Sequence, residues 1–184
     1  SSEGSLFVTR DDALFLTDSR YIEAAQKKVQ NCRCEELVSL SKQLPSIAKE
    51  MGFSSLLTEA DRLTVSLLSS LRKTFGKIRL STVGTDKMRE IKTEEEIKNI
   101  LLAQNIAERA FEHILKFIKP GISERDISLE LDYFMLKNGA QALSFETIAV
   151  SGVKSSMPHG VPDGKIIENG DFITMDYGAV VNGY

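Results

Sequence analysis

An acid and a histidine near the end of the chain are the residues best placed to do chemistry. Asp176 closes the apolar run Phe172-Ile173-Thr174-Met175-Asp176, and His159 sits in the Pro/Gly-rich segment Met157-Pro158-His159-Gly160-Val161-Pro162-Asp163-Gly164. In a strand, Phe172, Thr174 and Asp176 share one face while Ile173, Met175 and Tyr177 share the other. An acid inside an apolar strand is costly to desolvate unless a cation or several donors receive it. A hard divalent ion would do so, and carboxylates suit Mn²⁺, Mg²⁺ or Zn²⁺. Loop amides or an Arg would serve equally well. A neutral imidazole donates from one nitrogen and accepts at the other, so His159 could hold a substrate amide or pass a proton. It could also simply bond to its own loop. His113 lies within a helical stretch and reads as a packing or surface residue. Gly152, Gly160 and Gly164 fit neither a phosphate loop nor a dinucleotide fingerprint, and Asp163-Gly164 reads as a turn.

The elements that position these residues follow from the pattern. Ser5–Thr9 and Ala13–Thr17 read as a hairpin about Arg10-Asp11-Asp12. Asp18-Ser19 would cap a helix reaching Val29, with Tyr21 packed inward. Glu36–Leu40 reads as a strand, Leu44–Met51 as a helix stopped by Gly52, and Phe53–Thr58 as a strand. Thr64–Phe75 reads as a helix with Val65, Leu68 and Leu71 on one face. Thr93-Glu94-Glu95-Glu96 is a capping box. It opens a helix of roughly 25 residues, about 37 Å long. Its expected apolar stripe is Ile97, Ile100, Leu101, Ala107, Phe111, Ile114 and Ile118, and Pro120-Gly121 ends it. Ser123-Glu124-Arg125-Asp126 starts a second helix that buries Ile127, Leu131, Phe134 and Met135, and Asn138-Gly139 closes it. Strands alternating with helices favour an α/β layer over residues 1–84, followed by a second domain over 85–184.

Composition bounds the function. The 184 residues carry a net charge of −3 and are 42% hydrophobic and 27% charged, an ordinary globular balance. No basic excess points to nucleic acid or an anionic membrane. No apolar run approaches the roughly 18 residues of a membrane span. Cys32 and Cys34 are one residue apart, so on a strand they would face the same way and not bridge. They fit a reducing, cytoplasmic compartment. Because Ser1 is not an initiator Met, the chain is expected to begin inside a longer sequence.

Several segments, in order, resemble the Xaa-Pro aminopeptidase and prolidase family. Leu16–Tyr21 resembles its creatinase-like N-terminal domain, and Met88–Ile97 resembles the opening of its catalytic domain. Pro120–Glu124 resembles the helix-to-helix turn. Ser144–Gly152 and Pro158–Gly164 resemble the strand and the histidine loop. Gly170–Ala179 with Asn182-Gly183-Tyr184 resembles the segment bearing the first metal ligand. The resemblance implies a creatinase-like N-terminal α/β domain, incomplete at its start, followed by the first half of a pita-bread catalytic domain. It makes Asp176 a metal ligand, His159 the substrate-contacting and catalytic histidine, and Phe145 a substrate contact. It also implies two divalent ions, Mn²⁺ first with Zn²⁺ or Co²⁺ as alternatives, which activate a bridging water. The substrate would be a peptide with proline second, and the complete enzyme a homodimer. The family's further ligands lie beyond Tyr184, so this stretch alone is expected to be inactive. Lys154 replaces the amide side chain that many relatives carry in the histidine loop. Two other functions share the fold: a non-catalytic peptide- or protein-binding module, and a creatinase-like C–N hydrolase.

Overall fold

The structure, a computed structural model, describes residues 4–82 and 84–184. The chain divides into two compact units, Ser1–Glu90 and Ile91–Tyr184.

The first unit is built on the hairpin of β1 (Gly4–Val8) and β2 (Ala13–Thr17), with Leu6 opposite Phe15. The Thr9 hydroxyl donates to the Asp12 carbonyl and accepts from the Asp12 amide, closing the turn. Helix α1 (Ile22–Lys28) carries the chain to β3 (Arg33–Glu36), parallel to β2. Asp18 does not cap α1. Its carboxylate takes the Arg20 amide and guanidinium instead, and the helix begins three residues beyond Ser19. Tyr21 is partly exposed, with the Arg20 guanidinium 5.4 Å from its ring centre.

The β3 strand lies earlier than Glu36–Leu40, because its pairing runs from Leu14–Arg33 to Thr17–Glu36. Helix α2 (Leu40–Glu50) starts earlier than Leu44. The Gln43 carboxamide oxygen accepts from the amides of Val38 and Ser39, which shapes the turn into that helix. A parallel pair follows, β4 (Leu56–Glu59) and β5 (Ile78–Ser81), joined through α3 (Val65–Thr74). Thr64 caps α3 through its hydroxyl. Leu71 is buried, but Val65 is 82% exposed, off the apolar face expected for it. Phe7, Leu14, Leu16, Leu44, Ile47, Leu71 and Ile78 form the core.

The second unit begins with α4 (Glu94–Phe117) and α5 (Glu124–Lys137). Both carry a full capping box: Thr93 with Glu96, and Ser123 with Asp126. Four exposed amides are thereby satisfied within the first turns. The buried face of α4 is Asn99, Ala103, Ile106, Ala110 and Ile114, not the expected stripe. Of that stripe only Ile114 is fully buried, while Ile97, Ile100, Leu101 and Phe111 face outward. The alanines permit close approach where larger side chains would hold the elements apart. Ile127, Leu131 and Met135 of α5 are fully buried, as expected from their spacing. His113 of α4 meets Glu130 of α5 at 2.6 Å and stacks on Phe134. Leu131→Ala is expected to destabilise this unit by about 2–5 kcal/mol, the usual cost of such a cavity. Urea unfolding checks it.

Four strands complete the unit: β6 (Ala142–Leu143), β7 (Ile148–Ser151), β8 (Ile173–Asp176) and β9 (Ala179–Val180). Antiparallel pairing joins β7 to β8 and β6 to β9. Ile173, Met175 and Tyr177 pack on the helical core.

Candidate active site

The opposite face of β8 is where the candidate chemistry lies. Phe172, Thr174 and Asp176 are exposed, alternating with the inward residues as a two-residue period requires. The burial premise for Asp176 is therefore corrected: its carboxylate is solvated in this chain, and desolvation alone does not call for a cation. Backbone pairing of Ile148 with Asp176 brings β7 alongside. Phe145, 46% exposed, lies on the approach to β7.

His159 arrives from the loop after β7. The Gly160 amide donates to the Met157 carbonyl, making a tight turn with the histidine at its crest. Gly160 sits against Val150 so closely that a Cβ there would lie 3.0 Å from both methyls. The loop is thus seated on β7. The three candidate residues from the sequence, Phe145, His159 and Asp176, line one cleft of about 470 Å³. Glu146, Thr147, Ile148, Gly160, Val161 and Pro162 complete its walls. The Thr147 hydroxyl is tied to Asp132 of α5 at 2.5 Å. A solvated imidazole and a solvated carboxylate thus share a cleft with apolar walls, an arrangement suited to a peptide.

Sequence reading missed the charged network beneath the loop. Glu124 is fully buried at the start of α5. One of its oxygens accepts from the Ser151 amide at 2.7 Å and the Ser151 hydroxyl at 3.0 Å. The other receives the Lys154 ammonium at 2.6 Å and the Asp163 amide at 3.3 Å. Burial pushes the Glu124 carboxyl up, but Lys154 and the Ser151 and Asp163 donors outweigh it and hold it below the usual range. Glu124, and behind it Asp163, raises Lys154 above the ordinary lysine value. Lys165 bridges the Ser151 hydroxyl and Asp171 and lowers the latter. A glutamate in the first helical turn is common, so its spacing carried no signal; the departure at Lys154 was the one available clue.

The depressed Glu124 value has a pH consequence. Its stabilisation is fully present above the unfolded value, about 4.3, and is lost as pH falls from there through the folded value. The urea midpoint of this unit is expected to drop as pH is lowered below ~4.5, less steeply in Glu124→Gln. Denaturation at a series of pH values checks it.

Among the described residues, no three His, Cys, Asp or Glu side chains gather to hold a metal ion. Asp176 is a single candidate ligand, too little for a dinuclear centre.

Residues 1–91 match the creatinase/prolidase N-terminal domain, and residues 98–184 match metallopeptidase family M24. The chain therefore belongs to the M24 family in its Xaa-Pro aminopeptidase and prolidase branch, with the N-terminal half of the pita-bread architecture. It is 39% identical to the uncharacterised peptidase YqhT of Bacillus subtilis over its whole length and 53% of that protein. It is 31% identical to a putative Xaa-Pro aminopeptidase of Mycoplasma genitalium, covering 51% of it. Among solved structures, an Xaa-Pro dipeptidase from Bacillus anthracis superposes with a TM-score of 0.89 at 39% identity, over 97% of this chain and 51% of the other. An X-Pro aminopeptidase from Thermotoga maritima gives 0.87 at 30%, over the same shares. The chain spans about half the length of the relatives it matches. No helix among the described residues is long and apolar enough to cross a membrane.

Proposed function

We propose that the complete protein is a metal-dependent aminopeptidase that releases an N-terminal residue preceding proline. The observation that carries this reading is the single cleft shared by Asp176, His159 and Phe145 in an M24 chain. The names of the relatives support an Xaa-Pro substrate. Asp176 would supply one carboxylate to a divalent metal site, Mn²⁺ in the first instance. The remaining ligands would come from outside residues 1–184. His159 would hold the peptide carbonyl or pass a proton to the departing nitrogen. Phe145, with Val161 and Pro162, would supply an apolar wall for a proline ring. A cytoplasmic homodimer is the proposed setting.

Turnover of Xaa-Pro-containing peptides of increasing length by the full-length protein tests the reading. Release of the first residue from tripeptides and longer supports an aminopeptidase, and cleavage of dipeptides alone assigns a dipeptidase. Hydrolysis of creatine without peptide turnover assigns a C–N hydrolase, and peptide binding without turnover a binding module. The 184-residue chain by itself is expected to bind Mn²⁺ weakly and to turn over no Xaa-Pro peptide, since one carboxylate is too few ligands. Calorimetric titration with Mn²⁺ and a peptidase assay check this, and metal-dependent release by the isolated chain counts against it.

A further inference from the structure

We propose that Lys154 and buried Glu124 form a clasp that positions the His159 loop at the cleft, making both positioning residues for the reaction. This rests on the function proposed above. Lys154 precedes His159 and Asp163 follows it, and one ammonium closes the loop between them. It reaches Glu124 at 2.6 Å, Asp163 at 2.9 Å and the Val161 carbonyl at 3.0 Å. Three donors thus meet three acceptors. Glu124 anchors the clasp to α5 and, through the Ser151 amide, to the end of β7. It also takes the Asp163 amide, so both sides of the loop end on one carboxylate.

His159 itself makes no side-chain hydrogen bond to a described residue. Its place is set by the backbone of the loop that carries it. That backbone is held by the Gly160 seat on Val150, by the Met157 and Gly160 turn bonds, by the Arg125 amide and Thr174 hydroxyl on the Asp163 and Ser155 carbonyls, and by the clasp at its base. A charged clasp in a buried setting has a further effect. If Lys154 is removed, the fully buried Glu124 carboxylate loses its cation, so the loop must rearrange to solvate it, whereas Lys154 without Glu124 keeps Asp163. A shift of about 1 Å in a positioned group can cost 10²-fold in rate.

The test uses the full-length protein with Lys154→Met, Lys154→Arg, Glu124→Gln, His159→Ala and the double variant Lys154→Met/His159→Ala. Lys154→Met is expected to lower kcat by about 10- to 100-fold with little change in KM or metal content. Lys154→Arg should recover activity to within a few fold by restoring the cation. The double variant should lose little beyond His159→Ala, because the clasp acts through the histidine. A merely structural role would give additive losses and would overturn the proposal, as would wild-type kcat in Lys154→Met. Should Glu124→Gln fail to fold, the Lys154 variants carry the test, since Lys154 is partly exposed. Amide hydrogen exchange at Met157 and Gly160, whose amides donate to the Lys154 and Met157 carbonyls, reads the clasp without activity. Faster exchange in Lys154→Met supports it, and unchanged exchange overturns it. An inactive wild-type protein, or a silent His159→Ala, would instead refute the proposed function, and the exchange experiment would still decide the clasp.

Discussion

Asp176→Asn in the full-length protein is expected to abolish Xaa-Pro peptidase activity while leaving the fold intact. The side chain is solvated at the end of β8, and the pairing of that residue with Ile148 is a backbone matter that the amide preserves. The change is isosteric and breaks no backbone pairing. The loss is therefore chemical. An amide keeps the shape of the carboxylate but removes the charge that attracts a hard cation. A catalytic metal contributes several kcal/mol of transition-state stabilisation, so its loss amounts to about 10³-fold or more. Elemental analysis should show reduced metal, steady-state kinetics should fall to background, and thermal unfolding should match that of wild type once both are stripped of metal. Full occupancy with wild-type kinetics would remove Asp176 from the metal site.

His159→Ala is expected to divide the same properties differently. Metal content should stay near that of the wild type, while kcat/KM falls by about 10²-fold or more. The histidine is exposed at the crest of a loop whose base is held by Lys154, Glu124 and the Gly160 seat. Truncating it removes a group from the cleft without loosening those restraints. Loss of metal from this variant would give the histidine a ligand's role instead.

The two variants together separate a ligand from a substrate contact, which their shared cleft alone does not. Both are exposed, and both face the same apolar walls. Their difference lies in the elements that carry them: a paired strand for Asp176, a clasped loop for His159.

Much of this chain was legible because the relevant physics is local. The Thr93 and Glu96 capping box joins residues three apart, so it could be read directly and recurs in the structure. The alternation along β8 assigned its two faces correctly, because successive side chains on a strand must point opposite ways. The buried positions Ile127, Leu131 and Met135 followed from helical spacing. The ordered motifs identified the family before any contact was known. The short loop-flanked strands were less readable. β3 lies several residues earlier than its expected place, and β5 was not anticipated, since four residues carry little periodicity.

What only the tertiary structure decided concerns which face of an element finds a partner. On α4 the apolar residues spread over most of the circumference, so composition allowed more than one stripe. Packing selected the face with Ala103 and Ala110, leaving Phe111 and Leu101 outside. Asp176 sits in an apolar strand, yet within residues 4–184 its face is exposed, and a sequence window cannot tell a covered face from an exposed one. Glu124 looked like an ordinary first-turn acid and became the buried anchor of the His159 loop. Its partners Ser151, Lys154 and Asp163 stand 27, 30 and 39 residues along the chain. Short-range patterns specify helices, caps and strand faces; burial and ion pairing depend on distances that exist only once the chain has folded.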